Sequence, residues 1–124
     1  MAKRKGLTYE EKLINALKKL PNPIEDKRHG IVIVFENDRA RSNQSRFEHI
    51  AVLRHELRPS DIKQIPSGIK TSIFRKDKDR ANTFNLFIKR NNYSGEYIKI
   101  SLEIDFKKSN IGTVKTMFII KDLK

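Results

Sequence analysis

The sequence predicts an α+β fold, with N-terminal helices packed on one face of an antiparallel sheet of four to five strands. Three observations predict it. Two segments before residue 60 carry helical hydrophobic spacing behind capping boxes. Four segments after residue 71 instead alternate with a period of two. Clusters of Gly, Pro, Asn and Asp mark the boundaries between them. The 124 residues fit a single domain, 1–124, in which residues 1–7 are expected to be a flexible basic start.

The first helix is expected over "LTYEEKLINALKKL". Thr8 and Glu11 have capping-box spacing, Leu13, Ile14, Leu17 and Leu20 share one face, and "PNP" ends the run. In "HGIVIVFEND", residues 31–35 are consecutively apolar and mostly β-branched, as in a strand buried on both sides. Its place in the sheet is not set by its own sequence. The loop "ENDRARSNQ" leads to a second helix, "SRFEHIAVLRHEL", opened by a Ser45–Glu48 capping box and stopped by Pro59. Ser60 and Asp61 begin a short third helix, "DIKQI", ended by Pro66 and Gly68.

The strand candidates are "TSIFRK", "TFNLFIKR", "EYIKISLEID" and "TVKTMFII". In the third, Ile98, Ile100, Leu102 and Ile104 point one way, and Tyr97, Lys99, Ser101 and Glu103 the other. In the second, Asn85, Phe87 and Lys89 oppose Phe84, Leu86 and Ile88. The last strand has two readings. Either Val114, Phe118 and Ile120 face the core with Thr116, or Met117 and Ile119 do.

Lys and Arg number 27 against 15 Asp and Glu, a formal net charge of +12. Such a field favours phosphates, with nucleic acid first, anionic membrane second and an acidic protein third. No run of about 18 apolar residues exists to span a bilayer, and no apolar stretch follows "MAKRKG" to make a secretion signal. The absence of cysteine excludes disulfides and thiol catalysis. Three scattered histidines do not suggest a metal centre. A cytoplasmic protein without cofactor or metal is expected.

The segment 45–57 holds the oddest side chains. Phe47, Ile50, Ala51, Leu53 and Leu57 form its apolar stripe, and Arg54 falls inside that stripe. A core-facing arginine needs an anion, carbonyls or an escape to solvent. His49 and His55 flank the stripe about 120° apart, so a regular helix does not aim both at one small group. His55 lies in the last turn, where the helix dipole favours its charged form. Spacing alone favours reading each histidine as an ordinary helix-boundary residue, and a structural ion pair explains Arg54 as well as anion binding does. His29, beside Gly30 at a strand entrance, is a weaker candidate.

On the sheet's outer face, Lys99, Ser101, Phe87, Tyr97 and Arg90 are candidate nucleic-acid contacts, because lysine neutralises phosphate and exposed rings stack bases. "RKDKDRAN" is a solvated hairpin loop and a candidate backbone contact. An ordinary solvated sheet face accounts for the same residue types.

Together, "RFEHIAVLRHELRPSDIKQIPSGIKTSIFRK", a lysine-ending strand, "EYIKISLEID" and "GTVKTMFIIK" give a recognisable layout over about residues 45–121. It resembles the barnase–EndoU–colicin–RelE group of ribonucleases, in the branches found in phage and mobile-element proteins and polymorphic toxins. The resemblance implies metal-independent RNA cleavage, in which a base deprotonates the ribose 2′-hydroxyl for attack on phosphorus. An acid then protonates the leaving 5′-oxygen, and a 2′,3′-cyclic phosphate results. By position, His49 and His55 become base and acid in either order, Arg54 and Lys89 stabilise the phosphorane, and Thr116 matches a late Thr or Ser. The implied partners are RNA, with tRNA or another structured RNA among the candidates, and an acidic antitoxin or immunity protein. A non-catalytic basic nucleic-acid-binding domain is the alternative.

Overall fold

A computed structural model of the chain describes residues 8–41, 44–53, 56–91 and 93–121. Local signals account for the first helix, α1 (Tyr9–Lys18). The Thr8 hydroxyl accepts from the Glu11 amide at 3.1 Å, and the Glu11 carboxylate accepts from the Thr8 amide at 2.8 Å. This reciprocal pair satisfies two amides that the first turn leaves without intrahelical partners. The second helix, α2 (Arg46–Leu53), starts from the expected Ser45–Glu48 pair, and Glu56 and Leu57 are no longer helical.

Pro59 does more than end that segment. It is the first residue of the third helix, α3 (Pro59–Gly68), which is longer than the sequence suggests and holds Pro66 inside it. Proline suits this first position because its missing N–H would have had no helical partner.

Five short or long strands follow one another around a single curled sheet with a sixth. They are β1 (Ile24–Asp26), β2 (Ile31–Val34), β5 (Ile73–Lys76), β6 (Thr83–Lys89), β7 (Tyr97–Glu103) and β8 (Ile111–Ile120), in the spatial order β1-β2-β8-β7-β6-β5. A separate two-stranded ribbon, β3 (Arg39–Arg41) with β4 (Gln44–Ser45), occupies the predicted loop before α2. The expected antiparallel sheet of four to five strands is therefore corrected to a six-stranded mixed sheet. The antiparallel meander of β5 to β8 is as expected. The change comes from β2, which pairs in parallel with β8 and brings β1 to the edge beside it. Parallel pairing needs a long crossover, here the whole chain between β2 and β8.

The sheet curls until its edges approach. From the β1–β2 turn, Arg28 donates to the Ser72 carbonyl at 3.0 Å, and the His29 ring stacks on Phe74 of β5. Asp26, almost fully buried, holds His29 by a 2.7 Å contact to Nδ1. His29 thus has a structural role at this seam. Gly30 adopts a φ of 69°, which a residue with a Cβ rarely takes.

The helices cover one face of the sheet. Leu13 and Leu17 of α1, Phe47 and Ile50 of α2, and Ile62 and Ile65 of α3 join Leu86, Ile88, Ile98, Ile100 and Met117 in one buried cluster. The Tyr9 hydroxyl donates to the Leu57 carbonyl and ties the start of α1 to the segment before α3.

The uncertain parity of β8 is resolved by a bulge. Ser101 pairs with Thr116, but Leu102 pairs with Val114, so Lys115 is the extra residue. Val114, Met117 and the partly buried Ile119 all belong to the core side. Thr116 and Phe118 face outward in register with Ser101 and Lys99. The reading that turns Met117 and Ile119 inward holds beyond the bulge, and the other holds for Val114 before it.

A buried ion pair fastens α3 to the β6–β7 hairpin. Arg90, 4% exposed, makes a two-pronged contact with Asp61 at 2.8 and 2.7 Å and reaches Glu96 at 2.5 Å. Asp61 also accepts from the Arg58 amide at the helix start. Burial acts to lower the Arg90 pKa, but the hydrogen bonds to Asp61 and Glu96 more than offset it and hold the group firmly charged.

Arg90→Ala should cost about 3–5 kcal/mol of unfolding free energy in a urea titration, because it strands a buried carboxylate. Replacing both partners with Arg90→Met and Asp61→Leu should recover much of that loss. A second test concerns pH. Burial first, then the Glu56 and Glu10 carboxylates, push the Tyr9 phenol up to about 12. Because its folded value is raised, its contribution to stability is complete below about pH 10 and is lost as pH rises from there toward 12. Ultraviolet titration should show a tyrosine ionising near pH 12 that disappears in Tyr9→Phe.

Candidate nucleic-acid interface

The face of β5 to β8 opposite the helices is built by strand register. Across it run the rows Ile73–Phe87–Lys99–Phe118 and Arg75–Asn85–Ser101–Thr116. Successive residues of a strand point to opposite faces, so each row is the outward half of a ladder whose inward half is core.

Two devices stiffen this surface. Rings underlie cations: the Arg75 guanidinium lies 5.8 Å from the Phe87 ring centre, and Lys99 Nζ lies 5.2 Å from that of Phe118. The ring quadrupole favours a positive charge above it. Beside them, the Ser101 hydroxyl donates to Asn85 Oδ1 at 2.9 Å, and Asn85 Nδ2 donates to Asp77 Oδ2 at 3.2 Å. Asp77 also accepts from the amides of Asp79 and Arg80, so it organises the β5–β6 turn. The hydrogen bond from the Asp79 amide, with that from Asn85, holds the Asp77 carboxyl below the usual carboxylate range.

Together these groups enclose a shallow cleft of about 240 Å³, lined by Arg75, Lys76, Lys78 and Lys99 with Asp77 and Asp79. Four cations outnumber two carboxylates, and one of the two is committed to the turn. The predicted loop "RKDKDRAN" thus supplies most of the positive wall. Phe118, which one reading of the last strand turns toward the core, faces outward here, because the bulge that turns it leaves no local sequence sign.

The sequence-predicted residues divide into groups. Lys99, Phe87, Ser101 and Thr116 lie on these rows, and Tyr97 and Lys89 form a further rung of the same face. Within that set, Phe87 is 8% exposed beneath Arg75, so it is a support for the cation and not an open stacking platform. Ser101 is buried and engaged with Asn85. Lys89 pairs with Tyr97 in the ladder and Thr116 with Ser101. Four residues along and two strands across puts their backbones about 16 Å apart, too far to hold one phosphate together. Arg90 is corrected outright: its guanidinium is consumed by Asp61 and Glu96 and lies over the Tyr93 ring at 3.6 Å.

His49 is half-buried on α2, in the helical layer. Arg46, one turn earlier, pairs with Asp38 and donates to the Lys115 carbonyl at 3.2 Å, which anchors α2 against β8. Arg54 and His55 lie outside the described residues. Among the described residues no three His, Asp or Glu side chains are grouped to hold a metal ion. No described helix is long and apolar enough to cross a membrane. Compared with family models, curated proteins and solved structures, the chain matches none.

Proposed function

We propose that this protein binds single-stranded RNA across the outward face of β5 to β8, with the phosphate backbone as the main contact. The convergence of Arg75, Lys76, Lys78 and Lys99 around one cleft carries this reading. Phosphates close to fixed cations release condensed counterions, which drives binding without reading sequence. Two of these cations sit over rings, so less side-chain freedom is lost when a phosphate arrives. Tyr97, half-exposed at the far end of the face, adds a ring for a base.

A second reading adds cleavage: a metal-independent endoribonuclease of a toxin or mobile element, restrained by an acidic antitoxin or immunity protein. The Arg46–Lys115 hydrogen bond favours it, because it ties α2, the helix that bears His49, to β8, the strand that carries Thr116. A histidine there takes the 2′-hydroxyl proton as the O2′–P bond forms and the P–O5′ bond breaks. A second acid, His55 by the resemblance, returns a proton to the 5′-oxygen. Arg54 and Lys89 are the cations that the resemblance adds.

Binding is tested by fluorescence anisotropy with an oligouridine across a salt series. Arg75→Ala and Lys99→Ala should each flatten the slope of log affinity against log salt by about 0.7 per lost phosphate contact. Equal effects from Lys12→Ala, on the helical side, would remove the assignment to this face. Cleavage is tested separately, with tRNA and total RNA incubated in EDTA. The expected products end in 2′,3′-cyclic phosphate and vanish in His49→Ala or His55→Ala; their persistence in the double variant would refute the catalytic assignment.

A further inference from the structure

A second basic surface lies in the helical layer, on the side of the sheet away from the RNA face. Where α1 and α3 pack together, a groove of about 280 Å³ opens between them and continues into a smaller hollow of about 160 Å³. Its floor is Ala16, Pro59 and Pro66, and its walls carry Lys12, Lys19 and Lys63. No carboxylate lines it. All three lysines are exposed, and none pairs with a carboxylate among the described residues.

The composition of this groove differs from that of the sheet face. Small and cyclic side chains leave an apolar floor that no described element covers, and there is no ring on which a base would stack. Lys12 and Lys19 are seven residues apart, so their backbones are separated by about 10 Å along the same side of α1. Apolar floor and cationic walls together fit a helical or extended peptide with apolar side chains on one edge and carboxylates on the other. Nucleic acid would satisfy the lysines but leave the floor unused.

We propose that the α1–α3 groove docks an acidic, amphipathic polypeptide segment of another protein. The two faces are on opposite layers, so such a partner occupies its groove while RNA remains on the sheet. The inference does not depend on RNA binding.

The test uses a fluorescein-labelled peptide of glutamates with leucines at helical three–four spacing, titrated with the whole chain. Lys12→Glu, Lys19→Glu and Lys63→Glu combined should weaken peptide binding at least about tenfold, as expected from the loss of three charge pairs. Far-UV circular dichroism checks that this variant folds; if it does not, the single variants Lys19→Glu and Lys63→Glu are read instead. The Arg75→Glu, Lys99→Glu variant should leave peptide affinity within about twofold while weakening oligouridine binding. Equal weakening by both sets would reveal a general polyanion effect and overturn the proposal. So would displacement of the peptide by oligouridine, or failure of the peptide to bind the unaltered chain.

Discussion

The extra residue in β8 opposite Ser101 and Leu102 determines what this long strand shows to each layer of the protein. Alternation along a strand is rigid, so a single inserted position exchanges the two faces for everything beyond it. Up to Val114 the inward set is even-numbered, and from Met117 onward it is odd-numbered. Without the bulge, Val114 and Met117 would not both reach the core. With it, Thr116 and Phe118 move outward and complete the rows that begin at Arg75 and Ile73. The freed backbone also has a use, since the Lys115 carbonyl accepts from Arg46 and gives α2 a fixed anchor. One local irregularity thus sets both the composition of the outward face of β5 to β8 and the position of the neighbouring helix.

Rigidity elsewhere comes from polar groups that serve two partners at once. Asp61 caps α3 through the Arg58 amide and binds Arg90 on the hairpin. Gln64 donates to the Lys89 carbonyl and accepts from the Asn91 amide, repeating the same join one turn later. Asn22 does likewise at the sheet's other end, where its amide exchanges both hydrogen bonds with the Phe35 backbone. A buried arginine is costly to desolvate, so the Arg90 clasp matters less for net stability than for requiring one arrangement of α3 against β6 and β7.

What could be read from sequence was what local chemistry determines. The capping boxes at Thr8 and Ser45 depend on atoms three residues apart, and the alternation from Tyr97 to Glu103 depends on neighbours two apart. Both were legible. The parallel partnership of β2 with β8 joins residues about eighty positions apart, and β1 is too short to show a period. The bulge is invisible for a related reason: Val114, Met117 and Ile119 are apolar in either register. Arg90 misled because "FIKRNN" places a cation after a strand, whereas its partner Asp61 is twenty-nine residues earlier. For the candidate site, residue types on the outer face were readable, but whether each was open or engaged was not. Ser101 and Phe87 look available until Asn85 and Arg75 are placed on them.

That distinction bears on the kind of recognition this face supports. An open aromatic surface reads bases by stacking, and free hydroxyls or amides read their edges. Here the central aromatic ring is covered by a guanidinium, and the central amide and hydroxyl bond to each other. The groups that line the cleft are mainly cations, with rings below and the Asp77 turn beside them. On the proposed reading, a surface so constructed would hold a phosphate backbone and be indifferent to most of the base sequence. If RNA is the ligand, any preference among sequences would have to arise at the margins of the face, where Tyr97 is half-exposed at one end and α2 meets β8, or from the shape of the bound strand.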